Sequence, residues 1–570
     1  MELLDSRRLP GANILWERPG AVIDVAADST QLPVLISAWE IHVRERLDGV
    51  GWQAEATQVR LFPDGASLAI SAPLDALYAA TEVNESAWSA ACAQHSGEPI
   101  PDLQNDLERL RREINGESNP ALLALRAAAI ARNLSFLSDD DDVSVGLGTG
   151  CQSWPVNDLP APSAVSWTDV HDVPTTLITG TNGKTTTARL LASIVDAAGK
   201  TPGISSTDRV RVGSELLEEG DWSGPGGARL VMRHPRTQVG ILETARGGML
   251  RRGLALEHTN VAAVLNVGAD HLGEWGVGTL DGLAEGKFTV TRVADVAVLN
   301  ADDEVVAARG QQLNIPVIWF GLEPQNPRVL RHLEEGGDAY LLDGDELCHR
   351  KGSETLSILP VAKIPATLAG AARYNIANAL AAAAIAGALG FGLDSIRKGL
   401  SRFQNSTETN PGRLNIFELG GVKAIVDFAH NPHGFDAICK MMATITAKRR
   451  LVLLGQAGDR DEPSIREMTR ITWRARPDLI VIKELTGHLR GRELGEIPAL
   501  IEGELRREGA PPDRFVHSPS EMDSVRLALE WSQPGDLLML FVHDNREEVL
   551  RMLGQLAESE WTPGDPLPPA

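Results

Sequence analysis

Sulfur is scarce in this sequence and nowhere grouped. The four cysteines, Cys92, Cys151, Cys348 and Cys439, lie far apart and show none of the paired spacings of zinc sites or redox motifs, so they read as reduced, structural residues. Positive charge is also in deficit. Lys and Arg number 54 against 77 Asp and Glu, a net charge of −23, which argues against a nucleic-acid groove because such a groove needs a basic stripe. Long apolar runs are missing too. None approaches the roughly 18 residues of a membrane span, and the opening Met1–Arg8 lacks the apolar core of a signal peptide. The expectation is a cytosolic protein with no membrane and no nucleic-acid partner. The dense acidic run Asp139–Asp142 reads as an exposed loop, since consecutive carboxylates cannot all converge on one ion.

What is present is, first, a phosphate loop. Residues 178–187 read Ile-Thr-Gly-Thr-Asn-Gly-Lys-Thr-Thr-Thr, preceded by the strand-like Thr175–Ile178 and followed by a helical segment, 188–198, closed by Gly199. Strand, glycine turn and helix in that order hold a nucleoside triphosphate. Backbone N–H groups along Gly180, Thr181, Asn182, Gly183 and Thr186 and the helix N-terminus take phosphate oxygens, Lys184 neutralises the β/γ oxygens, and the Thr185 hydroxyl ligates Mg²⁺. ATP and Mg²⁺ are therefore the expected cofactors.

The rest of the chain divides by composition into three regions, as its length leads one to expect. Residues 1–165 mix short strands with helical stretches near Leu103–Arg112 and Ala121–Arg132, an α+β domain ended by the proline-bearing linker Leu159–Ser163. In residues 166–410 apolar runs at Val239, Val261 and Val296 alternate with helical segments, the pattern of a parallel sheet wrapped by helices, and the alanine-rich stretch Ala377–Leu389 predicts a buried helix. Residues 411–570 repeat the alternation as a second α/β domain. The Pro/Gly-rich tail after Trp561 is expected to be disordered. Gly146–Gly150 lacks the lysine of a nucleotide loop and reads as a turn.

A phosphate loop alone permits kinase, GTPase or motor chemistry, so the discriminating residues lie farther on. Glu243 ends one buried strand, where an acid directed at Mg²⁺ belongs, and Asp270-His271 follows the next. Ligands bind at the carboxyl edge of open parallel sheets, so groups at successive strand ends favour a site.

The set Gly180–Thr185, Glu243, Asn266–His271, Asn375-Ile-Ala-Asn378, Pro411-Gly-Arg413 and Asp427–Pro432, in that order, resembles the Mur ligase superfamily. Glu243–Gly253, Gly455–Arg460, Leu489–Glu496 and the opening Ser6–Asn13 resemble in particular the cyanophycin synthetases. That resemblance implies an ATP-dependent, ADP-forming amide ligase acting through an acyl phosphate. It also implies roles: Thr185 on one Mg²⁺, Glu243 and His271 on a second that orients the carboxylate, Lys287 as a lysine of the kind that many Mur ligases carbamylate, His430 near the phosphates or the incoming amine, Asn375 on adenine with Asn378 beside it, and Arg413 and Asp427 closing over the nucleotide, Asp427 toward the ribose. Asp208 and Arg246 would line the carboxylate side, and Asp459, Arg460, Arg490 and Arg492 the amine side. Tyr374 stands where the family has histidine. Arg413 and Asp427 lie beyond a hinge near residue 410, so they would reach ATP when the C-terminal domain swings onto the central one. Cyanophycin synthetases also carry an aspartate-adding ATP-grasp domain between the two halves, for which the linker near Leu159–Ser163 has no room. Aspartate addition is accordingly not expected of this chain, and arginine as the amine becomes an inference. The alternatives are a subunit that works with a separate ATP-grasp ligase and a polyglutamate-type tail-extending ligase. Relatives suggest a homo-oligomer.

Overall fold

In the computed structural model, which describes residues 1–568 apart from 271, 272 and 274, the strand Thr175–Thr179 that feeds the phosphate loop lies inside an 11-stranded sheet. Its neighbours are Val239–Glu243 and Thr259–Val264, both parallel to it. Parallel pairing continues to Pro202–Ser205 on one side and through Ala294–Asn300 and Val317–Gly321 to Asp338–Asp343 on the other. Leu177, Ile241, Val261 and Val298 of these strands are buried because helices cover both faces of the sheet. Lys184–Ala197 and Arg373–Ala388 cover one face, where Leu190, Leu191 and Ile194 pack with Leu380 and Ile385. Arg246–Arg252 and Leu280–Phe288 cover the other. The alanine-rich helix is buried as expected, its small side chains letting it lie close to the sheet. Both ends of the sheet depart from an all-parallel reading: antiparallel hairpins close it at 209–219 and 346–360, where exposed edges need no covering helix.

The C-terminal sheet has six strands, all parallel except the edge strand Asn415–Leu419. Phe435 from the helix Pro432–Thr444 stacks on Phe541 of the central strand Leu537–Phe541 at 4.0 Å between ring centroids. Residues 562–568 of the tail after Trp561 correct the expectation of disorder. Trp561 is 5% exposed, Leu567 packs into the same core cluster, and the indole Nε1 donates to Asp565 O at 3.1 Å. Burial of one large aromatic ring outweighs the proline and glycine content around it. Trp561→Ala is expected to cost about 3–5 kcal/mol of C-terminal-domain stability, seen as a lower denaturant midpoint; an unchanged midpoint would mean that the tail contributes nothing.

The N-terminal region is a four-stranded antiparallel sheet covered by the helices Leu32–Gly49 and Leu77–Ser96, followed by a three-stranded sheet at 136–155. It is tied to the central domain by Arg7 Nε on Leu250 O (3.0 Å) and Arg60 on Glu285 Oε2 (3.0 Å). The acidic run 139–142 is not simply a solvated loop: Asp139 accepts Arg233 Nη1 at 2.6 Å and Asp140 accepts Arg8 at 2.9 Å. Gly148–Gly150 is a single short helical turn against the central domain, with Thr149 N on Thr237 O at 2.9 Å. All four cysteines are free, and no described helix is long and apolar enough to cross a membrane.

Candidate active site

Gly183 caps the helix Lys184–Ala197 with a φ of +87°, and a Cβ there would stand 2.3 Å from Asn378 Oδ1, so the loop requires glycine twice over, for conformation and for space. Lys184 Nζ bends back to Gly180 O (3.0 Å) and Thr181 O (3.1 Å). Thr185 Oγ1 donates to Glu243 Oε2 at 2.9 Å and lies 3.2 Å from Thr207 Oγ1.

Glu243, at its strand's carboxyl end, is buried, and its second oxygen, Oε1, is buried with no hydrogen-bond partner in the described structure. Burial pushes its carboxyl up, with Lys184 and Arg413 opposing. An orphaned carboxylate oxygen beside a threonine hydroxyl is a hard-oxygen donor pair that fits Mg²⁺, an ion that fills its remaining positions with water and phosphate oxygens. Among the described residues no group of three His, Cys, Asp or Glu could hold a metal; His271, expected to hold a second Mg²⁺ together with Glu243, lies outside the described residues.

Lys287, on the helix Leu280–Phe288, is 4% exposed and faces the same cavity. Burial pushes its ammonium well below the ordinary lysine range, Lys184 and Arg246 add to the shift, and Asp270 opposes it. Across the cavity Asp270 accepts Arg460 Nη1 of the C-terminal domain, with His430 Nε2 at 3.8 Å. Burial pushes the His430 imidazole down to about 4, and its Nδ1 lies 3.1 Å from Phe428 O. The ring is therefore neutral near pH 7, and a proton on Nδ1 leaves the Nε2 lone pair facing the cavity.

This cavity, about 1240 Å³, is walled by both domains, and a second of about 550 Å³ adjoins it, with Asn182, Gly183, Arg413, Phe428 and His430 shared. The smaller one is lined by Asn375, Asn378, Tyr374, Thr186 and Asp427. Asn375 Nδ2 donates to Ala366 O at 2.8 Å and its Oδ1 accepts Asn378 Nδ2 at 3.0 Å, so the pair also pins the start of its helix. Tyr374 turns its hydroxyl to Met441 Sδ at 3.8 Å. Asp427 accepts Leu414 N and Ala429 N, each at 2.9 Å, and burial pushes its carboxyl up to about 6 against the pull of those hydrogen bonds and Arg413. Arg413 sits 5.7 Å over the Phe428 ring.

The residues expected to bind substrate divide. Arg246 lines the larger cavity 5.8 Å over the Trp275 ring, and Asp459 and Arg490 face it as an ion pair. Arg460 lines it while bound to Asp270. Arg492 does not line it: Nε donates to Gly458 O at 2.9 Å and the guanidinium pairs with Glu496, because the turn after Leu489 points it along its own loop. Asp208 also lines this cavity, but with both oxygens engaged. Its oxygens accept Arg189 Nη2 and Arg546 Nη1, both at 2.8 Å, and although burial alone would raise it, Arg413, Arg189 and Arg546 hold its carboxyl down at about 2. Arg546 and His543, which follow the strand Leu537–Phe541, were missed by the sequence reading; the strand-end rule that found Glu243 applies to them equally. The two domains are already in contact at this site, for Asn182 Nδ2 donates to Asn431 Oδ1 at 3.0 Å and lies 2.9 Å from His433 Nδ1.

Residues 178–386 match the Mur ligase middle domain and residues 412–541 the Mur ligase glutamate ligase domain. Cyanophycin synthetase of Synechocystis is 37% identical over 390 residues, 68% of this chain and 44% of that protein. The UDP-N-acetylmuramoyl-L-alanyl-D-glutamate–2,6-diaminopimelate ligase of Geobacter metallireducens is 29% identical over 394 residues, 65% of this chain and 73% of that protein. The chain thus spans less than half the length of the cyanophycin synthetases it matches. In fold it is similar to E. coli FolC in complex with ADP, at a TM-score of 0.50 and 21% identity, covering 67% of this chain and 89% of that one.

Proposed function

The chain belongs to the Mur ligase family through its middle and C-terminal domains, and we propose that it is an ATP-dependent, ADP-forming ligase that joins a carboxylate to an amine through an acyl phosphate. The observation that carries this reading is the convergence of Lys184, Thr185, Glu243 and Lys287 from the central domain and His430 from the C-terminal domain on one two-domain cavity.

Two anions must meet in such a reaction, so cations have to compensate both. Lys184 would neutralise the β/γ-phosphate oxygens and Arg246 would hold the donor carboxylate. Mg²⁺, held by Thr185 and Glu243, would supply further charge compensation when bound. A donor carboxylate oxygen attacks the γ-phosphorus and the bond to the β-phosphate oxygen breaks, releasing ADP. The amine then attacks the acyl carbon, phosphate leaves, and the amine proton can pass to Nε2 of the neutral His430, with Asp270 beside it to stabilise the imidazolium. Contact between the domains at Asn182 and Asn431 brings the C-terminal wall onto the phosphate loop, and tighter closure with substrates bound would limit hydrolysis of the acyl phosphate.

Arg246, Arg251 and Arg252 on the central-domain wall favour an acidic donor of the aspartyl type, and similarity to cyanophycin synthetases makes arginine the first amine to test. The test is phosphate release from purified protein supplied with ATP, Mg²⁺, amino acids and short aspartyl peptides, followed by product mass. No release with any combination would sink the proposal.

Asp427 gives a pH dependence. Each of its oxygens retains a lone pair for a ribose hydroxyl, but only as the carboxylate, and the carboxyl takes up a proton as pH falls through about 6. Nucleotide affinity is expected to weaken below that pH in the wild type and to be flat in Asp427→Asn. A wild-type profile that is already flat would remove Asp427 from the ribose.

A further inference from the structure

The cavity wall built by the C-terminal domain is shaped by a buried charge that the reaction above does not use. Glu521 and Lys483 have no exposed side-chain surface. Lys483 Nζ donates to Glu521 Oε1 and to Phe541 O. The same carboxylate accepts three successive backbone N–H groups, from His543 (2.8 Å), Asp544 (2.8 Å) and Asn545 (2.6 Å). Those residues are the turn between the strand Leu537–Phe541 and the helix Arg546–Glu558. Three N–H donors and an ammonium use the acceptor capacity of one carboxylate, and the helix N-terminus adds its own preference for an anion there. The path of the turn is therefore dictated by Glu521.

The turn delivers Arg546 across the domain boundary. Its Nη1 donates to Asp208 Oδ1 at 2.8 Å, and Asp208 Oδ2 accepts Arg189 Nη2, whose Nη1 donates to Asn410 Oδ1 at 2.6 Å at the junction of the two domains. The residue before Asp208, Thr207, meets the Thr185 hydroxyl of the phosphate loop. An exposed ion pair would be worth little, but the Asp208 side chain is only 4% exposed, and removing one partner of a buried pair strands the other.

We propose that Glu521 is a positioning residue, which sets the turn 543–545 so that Arg546 latches onto Asp208 and holds the C-terminal domain against the phosphate loop. The latch is a statement about domain geometry; its effect on turnover rests on the ligase reading above.

The experiment compares Arg546→Met, Arg546→Lys, Asp208→Asn, the Asp208→Asn/Arg546→Met double variant and Glu521→Gln in the full chain by small-angle scattering with ADP and Mg²⁺, and then by ligase kinetics. The expected results are a larger radius of gyration in Arg546→Met and Asp208→Asn, no further increase in the double variant, and partial recovery in Arg546→Lys. Glu521→Gln should match Arg546→Met. In turnover, kcat should fall about 10- to 100-fold with the KM for ATP changed less, as for a misplaced rather than a missing catalytic group. Wild-type scattering in Arg546→Met overturns the latch, whether or not ligase activity has been found. Changed scattering in a chain that releases no phosphate supports the latch and removes the ligase reading. Wild-type scattering in folded Glu521→Gln overturns the positioning role of Glu521; should that variant not fold, Glu521→Asp, which keeps the anion but shortens its reach to the three N–H groups, is expected to open as Arg546→Met does, and wild-type scattering in it would overturn that role.

Discussion

Lys184→Ala will lower the rate of ADP-forming turnover about a thousandfold while the protein stays folded. Loss of one cation from a water-poor phosphate site removes several kcal/mol of transition-state stabilisation, and each factor of ten in rate corresponds to about 1.4 kcal/mol. The fold loses little. Among the described residues Lys184 Nζ donates to two carbonyl oxygens of its own loop, Gly180 O and Thr181 O, and alanine is readily tolerated in a helix. Phosphate release and the thermal midpoint, measured on the same sample, separate the two effects. Turnover near the wild-type rate would show that the reaction does not use this loop.

The second large effect is expected at Lys287. Burial and the neighbouring cations Lys184 and Arg246 press its ammonium well below the ordinary range, which raises the fraction of neutral amine at neutral pH. A neutral amine can add carbon dioxide: the N–C bond forms, a proton leaves, and a carbamate anion stands where the cation was. That change of sign turns repulsion from Lys184 and Arg246 into attraction, with Asp270 alone of the three opposing it. Bicarbonate-depleted, degassed buffer should therefore reduce turnover and added bicarbonate restore it, whereas Lys287→Ala should lose about a hundredfold and be indifferent to bicarbonate. A wild-type enzyme equally indifferent to bicarbonate would leave Lys287 as a buried amine without that role.

Much of this site was legible along the chain because its signals are local. The phosphate loop is ten consecutive residues, 178–187, whose glycines and Lys-Thr step have a meaning independent of the surroundings. Apolar runs alternating with helical segments require a covered parallel sheet, and a carboxylate at the end of such a run, as at Glu243, must come to the edge where ligands bind. Those features followed from periodicity and residue type alone.

Other features have no local signature. Asp208 reads as a cavity acid, yet its partner Arg546 is 338 positions away, and only the packing of one domain on the other shows its oxygens already taken. Arg492 reads as a substrate residue until the turn after Leu489 directs it to Glu496. The tail beyond Trp561 has the composition of a disordered segment, but one indole reaching the C-terminal core orders residues 562–568. In each case the outcome depends on which distant groups the fold brings within about 3 Å, the range of a hydrogen bond, or within van der Waals contact. Sequence determined the chemistry this chain carries at its strand ends; tertiary structure decided which of those groups face the cavity and which hold one another, because pairing between elements is a property of their packing and not of the residues flanking them.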